Sequence, residues 1–144
     1  MNPTSSLDLD LLADSTNAKV GVAFDENGDP TSGFVIVGKD SEQYREAARL
    51  LRIAGIRRGS VKATRIDTKT EDGAAEFDRV LRSNEDEIAV AVVTDWFGFS
   101  RSGEPLAFSV DALRGVLAKR PTWRDKISAA LEAEDSFLPQ SSPN

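Results

Sequence analysis

The sequence predicts an α+β fold, mostly α: a short N-terminal β-hairpin followed by a small helical domain of about four helices. Two observations carry this. Residues 18–24, AKVGVAF, place Ala18, Val20, Val22 and Phe24 on alternate positions, and GFVIVG at 33–38 is a second β-rich run, with the turn formers DENGDPTS between them. After Gly38 the period changes, and apolar residues recur three and four apart in successive stretches up to residue 137.

Taken in order, residues 1–17 are polar and are expected to form a flexible tail, with Leu7, Leu9, Leu11 and Leu12 as their small apolar cluster. Residues 18–137 form a single expected domain, of which 18–38 is the hairpin and 40–137 the helical part. The first helix starts at Asp40 or Ser41, either of which can cap it, with Gln43 three after Asp40 as in a capping box. Tyr44, Ala47, Ala48, Leu51 and Ala54 or Gly55 make its apolar stripe, and it ends near Gly59. The polar connection that follows has room for a short strand at Val61 to Ile66.

From about Thr70, Ala74, Phe77, Val80 and Leu81 stand at helical spacing, as do Ile88, Ala91, Val92 and Asp95 or Trp96. One long helix, or two with a break at Ser83-Asn84, satisfies this pattern. EIAVAVVTDW is also rich in β-branched residues and alternates Ile88, Val90 and Val92, so residues 86–96 read as helix or strand. Ser109 caps a helix carrying Val110, Leu113, Val116 and Leu117, which stops before Pro121. Thr122 with Asp125 resembles another cap, opening a helix with Trp123, Ile127 and Leu131 on one face. Residues 138–144 are expected to be a second flexible tail.

Composition narrows the function. The 144 residues suit one domain. With 18 basic against 24 acidic residues the net charge is −6, which disfavours affinity gained by neutralising phosphates, so no nucleic-acid partner is expected. The longest apolar run, Ile88 to Val93, is too short to span a bilayer, and no secretory signal is read at the start; a cytoplasmic protein is the default. Histidine and cysteine are absent, which removes thiolate and imidazole zinc sites, cysteine nucleophiles and histidine-activated serines. No cofactor is expected.

DENGDP at 25–30 begins like a calcium loop, but position six is Pro30 and position twelve is Ile36, where glycine and a bidentate Glu are needed. A hairpin loop is the better reading. GFSRS at 98–102 starts like a nucleophile elbow, yet its fifth residue is Ser102 and no histidine exists to take the serine proton. Asp95 and Glu104 flank an aromatic cluster and form the one carboxylate pair placed for acid and base work, against the plainer reading of residues beside a helix end and a turn. No catalytic residue is assigned.

Charge is segregated. Arg45, Arg49, Arg52, Arg57, Arg58, Lys62 and Arg65 are opposed between 45 and 65 only by Glu46, whereas 71–87 carries seven acids against Arg79 and Arg82. Either the two faces pair within the monomer, or they support head-to-tail self-association. The five arginines from 45 to 58, with Trp96 and Phe99 from TDWFGFSRSGEPLAFS, are the candidate partner or self-association residues; the aromatics equally suit the covering of a core end.

Two groups of residues resemble one family. Asn27, Gly28, Asp29, Pro30 and Thr31, then Gly38, Asp40, Ser41, Tyr44 and Arg45, are similar to the start of the tail assembly chaperones of long-tailed bacteriophages. Trp96, Gly98, Gly103, Pro105, Phe108, Ser109 and Leu113, with Pro121 and Phe137 behind, resemble a later pattern in the same proteins, and the likeness spans residues 18–137. Residues 59–75 are longer and more polar than that pattern. The resemblance implies that EIAVAVVTDW is helical. It also implies a non-enzymatic protein of the infected host's cytoplasm, absent from the mature virion, whose partners are the tape-measure protein, the major tail protein and further copies of itself. The rival readings are a structural tail or neck protein retained in the particle, a small carboxylate-dependent enzyme, and a binding module unconnected with phage.

Overall fold

A computed structural model describes residues 17–133. The expected tails, apart from Asn17, and Phe137 lie outside the described residues. Strands β1 (Asn17–Phe24) and β2 (Pro30–Val37) form the expected antiparallel hairpin. Helix α1 (Glu42–Ser60) and a short 3-10 turn (Lys62–Thr64) lead to α2 (Glu71–Val92). Strand β3 (Val93–Phe97) then joins the free edge of β2, completing an antiparallel sheet of order β1-β2-β3. A small ribbon of β4 (Ser100–Arg101) and β5 (Glu104–Pro105) precedes helices α3 (Val110–Lys119) and α4 (Pro121–Glu132).

Alternation along β2 puts Phe34 and Ile36 wholly inside, where they meet Val20 of β1 and Val93 and Trp96 of β3. Helices α3 and α4 cover them with Leu113, Leu117, Ile127 and Leu131, and the last turns of α2 add Ala89 and Val92. Among the described residues no polar or charged side chain is buried. The core is therefore built by the sheet, α3, α4 and the C-terminal end of α2.

Residues 86–96 are neither all helix nor all strand. The helical reading implied by the resemblance holds through Val92 and is corrected beyond it, because the chain pairs with β2 from Val93. A shift in register between Val35 and Ile36 leaves Thr94 outside the ladder, with its hydroxyl on the Val35 carbonyl at 3.3 Å. Val93 and Trp96, three apart, consequently both face inward. A bulged strand thus carries the spacing of a helix.

Three other local expectations change. Ser41, not Asp40, caps α1 by accepting the Tyr44 amide at 3.1 Å, so Gln43 has no capping-box role. The connection after α1 forms the 3-10 turn rather than a strand, since Thr64 Oγ1 donates to the Arg58 carbonyl and Arg65 Nε to the Gly59 carbonyl, folding it back on the helix end. Helix α4 starts at Pro121, whose fixed φ suits the first helical position, and no Thr122 side chain caps it. The cap at Ser109 is as read, with the Ala112 amide 3.1 Å from its hydroxyl. Thr70 caps the single long α2 in the same way.

Candidate functional site: a helical arm

Helix α1 spans 19 residues, yet none of them is buried. Tyr44, Ala47, Ala48 and Leu51 are half-buried on the stripe that faces α2. A second stripe, Leu50, Ile53 and Ile56, runs along its outer side, with Leu50 54% and Ile56 64% exposed. The first half of α2 is also uncovered, with Phe77 and Leu81 each 44% exposed. Only the second half of α2 reaches the core. Helix α1, which meets the core only through Tyr44 near its start, and the first turns of α2 therefore form a two-helix arm.

Two open apolar grooves flank the arm. One, of about 370 Å³, lies between Tyr44, Leu81, Ile88 and Leu131; the other, of about 410 Å³, is lined by Ala47, Leu50, Leu51, Val90 and Ala91. The five candidate arginines lie on α1. Arg45, Arg49 and Arg52 follow one helix face at i, i+4 and i+7, Arg57 borders the Leu50–Ile53 side, and Arg58 is half-buried. Arg49 pairs with Glu46 at 2.7 Å, which raises the guanidinium pKa and lowers that of the carboxyl, through their hydrogen bond first. Arg45 donates to the Ser41 carbonyl at 3.4 Å. Among the described residues, Arg52, Arg57 and Arg58 have no ion pair.

Five of the seven acids of α2, Glu76, Asp78, Glu85, Asp86 and Glu87, are engaged elsewhere. Glu87 holds Arg114 of α3 through two hydrogen bonds of 2.9 and 3.1 Å, and Arg124 of α4 reaches Asp86 at 3.0 Å and Glu85 at 3.8 Å. Glu76 and Asp78 pair within the helix with Arg79 and Arg82. Intramolecular pairing of the charged segments does occur, but α2 pairs with α3, α4 and itself rather than with α1. Arg114 and Arg124 had no local signal in the sequence, because their partners lie 27 and 38 residues away.

The bond from Arg114 is the main reason the Glu87 carboxyl lies below its usual range. A folded-state pKa held down means that the pair stabilises above the unfolded pKa and that this contribution disappears as pH falls through the folded value. The two side chains are 45% and 48% exposed, so Glu87→Gln is expected to lower stability at neutral pH by up to about 1 kcal/mol. Thermal melts of the two proteins are expected to converge as the pH falls below the usual carboxylate range.

Trp96 and Phe99 do not join the arginines. Trp96 is only 7% exposed, and its Nε1 donates to the Leu106 carbonyl at 2.8 Å. Its ring stands edge-on to Phe99 at 5.1 Å and to Phe108 at 5.3 Å, and half-buried Phe99 continues to Phe34 and Trp123. The expectation of a partner contact at Trp96 is corrected by this burial; the ring closes the end of the core. Asp95 is exposed and accepts the Trp96 amide, while Glu104 is exposed in the ribbon. Asp25 Oδ1 accepts the amides of Asn27 and Asp29 at 2.9 and 3.0 Å, so this carboxylate of the calcium-like loop shapes a turn.

Among the described residues no helix is long and apolar enough to cross a membrane, and no acidic group of three or more is arranged to hold a metal ion. No family model, no curated protein and no solved structure matches this chain.

Proposed function

We propose that the chain is a tail assembly chaperone of a long-tailed bacteriophage, which binds the tape-measure protein and helps recruit subunits of the major tail protein without catalysis. The observation that carries the reading is the arm: an amphipathic helix with no buried residue, an outer apolar stripe and cations that have no ion pair among the described residues. Such a surface suits an elongated client with apolar and acidic groups, and many weak contacts along one client gain avidity. The resemblance supplies the identity of that client. Some of its residues lie where the chain turns, Asn27–Thr31 at the hairpin tip, Gly38 to Ser41 before α1 and Gly98 to Ser109 before α3, and others within elements, Tyr44 and Arg45 in α1, Trp96 in β3, Leu113 in α3 and Pro121 at the start of α4. The protein acts in the cytoplasm of the infected host and leaves before the virion matures.

Arg49→Glu combined with Arg52→Glu is expected to weaken binding of a purified tape-measure fragment at low salt by about tenfold or more, with a melting temperature lowered only slightly by loss of the exposed Arg49–Glu46 pair. Isothermal titration at two salt concentrations measures it, and unchanged affinity removes the arm from client binding. Mass spectrometry of purified particles checks the departure: a chaperone is missing from them, whereas a retained tail or neck protein is present in stoichiometric amount.

A further inference from the structure

The groove between Tyr44, Leu81, Ile88 and Leu131 is walled by three helices, α1, α2 and α4. Leu131 belongs to the core and Tyr44 and Ile88 pack against it, but Leu81, two turns before Ile88 on α2, is 44% exposed. The lining is therefore apolar and partly bare. At about 370 Å³ it has room for more than one side chain, since an apolar cavity of about 150 Å³ already accepts benzene. The charged groups on its rim are Glu132, paired with Lys39 at 2.6 Å, and Glu85, 3.8 Å from Arg124. Such a groove takes an uncharged occupant in preference to an acidic one, because a carboxylate laid beside Glu85 and Glu132 is repelled.

Helix α4 supplies Ser128, Leu131 and Glu132 to the groove, so the chain runs on from the groove's own wall. Beyond Ala133 stand Glu134 and Asp135, then SFLPQSSPN at 136–144, which carries no charged side chain and has Phe137 and Leu138 as its large apolar pair. Phe137 is four residues past Ala133, a reach of up to about 14 Å, against about 10 Å for the rise from Leu81 to Ile88 along α2. The leucines near the other end of the chain, Leu7, Leu9, Leu11 and Leu12, suit the groove less well, because Asp8 and Asp10 alternate with them and Asp14 follows. The second groove has no residue of α4 in its lining and is bordered by Glu46, Glu87 and Arg114. Tether and charge thus select the same occupant.

We propose that Phe137 and Leu138 seat in this groove of their own chain, with the Phe137 ring against Tyr44, Leu81 and Ile88. The segment after α4 then acts as a strap. One ring, tethered to α4, touches both helices of the arm, so the base of α1 is held against the core while Leu50 and Ile56 stay open on its outer side. The contact is held by burial of apolar surface and is expected to persist in high salt. The strap neither needs nor excludes a client on the outer face of α1, so it stands or falls apart from the reading of the arm as a client surface.

The chain has no cysteine, so Leu81→Cys in the full chain places a single thiol in the groove. Its alkylation by N-ethylmaleimide is expected to speed up by about tenfold or more when Phe137→Ser and Leu138→Ser are added, because a covered thiol reacts only when its cover opens. Leu50→Cys, on the outer face of α1, is the control, and its alkylation is expected to be the same with either tail. An unchanged rate at Leu81→Cys overturns the proposal, as does an equal acceleration at both cysteines, which reports a general loosening of the arm. Protection that fades as the protein is diluted means that a second copy supplies the segment, and overturns docking within one chain. Circular dichroism checks that each variant folds. If Leu81→Cys does not, Asn84→Cys in the same groove replaces it, and if the doubly substituted tail does not, Phe137→Ala alone replaces that, with the same results expected and the same results overturning it.

Discussion

Trp96→Ala is expected to lower the unfolding free energy by about 3–5 kcal/mol, the range for removing a large aromatic side chain from a packed interior. The side chain is 7% exposed and packs where the sheet, the segment around the β4–β5 ribbon and α4 meet. Its ring touches Phe99 and Phe108 edge-on, and through Phe99 it is linked to Phe34 of the central strand and Trp123 of α4. Deletion therefore leaves a cavity at the meeting point of the sheet, the β4–β5 ribbon and α4. Trp96→Phe separates the two contributions of the indole. It keeps most of the edge-on packing but loses the donor 2.8 Å from the Leu106 carbonyl, and an unpaired partner of this kind costs about 1–3 kcal/mol. Urea titration measures both, and small domains are stable by only about 5–15 kcal/mol, so the alanine variant is expected to be partly unfolded on mild warming. A loss below about 1 kcal/mol for alanine would show that the aromatic cluster does not close the core.

Much of the fold was legible because its signals are local. Alternation at Ala18 to Phe24, turn formers from Asp25 to Ser32, Ser41 or Asp40 before an amphipathic stripe, and Ser109 before Val110 and Leu113 each depend on residues within one or two turns of each other. The third strand was not legible for the opposite reason. Val93 and Trp96 both point inward only because β2 shifts register beside them, a property of the pairing rather than of the segment, and the resulting spacing of three mimics a helix. The candidate site divided in the same way. The arginines of α1 could be placed on one helix from spacing alone, but whether α1 is covered depends on which elements pack over it, and no periodicity records that. Trp96 shows the complementary limit, since an aromatic residue at a core end and one at a partner surface have the same sequence neighbours. The pairs joining Glu87 to Arg114 and Asp86 to Arg124 exist only after α2, α3 and α4 have come together.

Gly98→Ala is expected to be the other severe substitution, and Gly103→Ala is its control. Both glycines have left-handed backbone, φ 77° and 82°, which costs an L-residue roughly 1–2 kcal/mol. At Gly103 nothing lies within 4 Å of an added Cβ, so alanine there reports the backbone term alone. At Gly98 the Cβ would fall 1.9 Å from the Thr31 carbonyl oxygen and 2.8 Å from Ser32 Oγ, and Ser32 also donates to the Gly98 carbonyl at 2.8 Å. The substitution must push the turn after β3 away from the start of β2, which strains or breaks that hydrogen bond and loosens the pairing of Phe97 with Gly33. Overpacking of this kind adds about 1–3 kcal/mol, so Gly98→Ala is expected to cost roughly 3 kcal/mol or more in urea unfolding. The difference between the two variants isolates the price of the close approach. Equal losses would mean that the turn moves freely against β2, and that β3 is held to the sheet by Val93 and Trp96 alone.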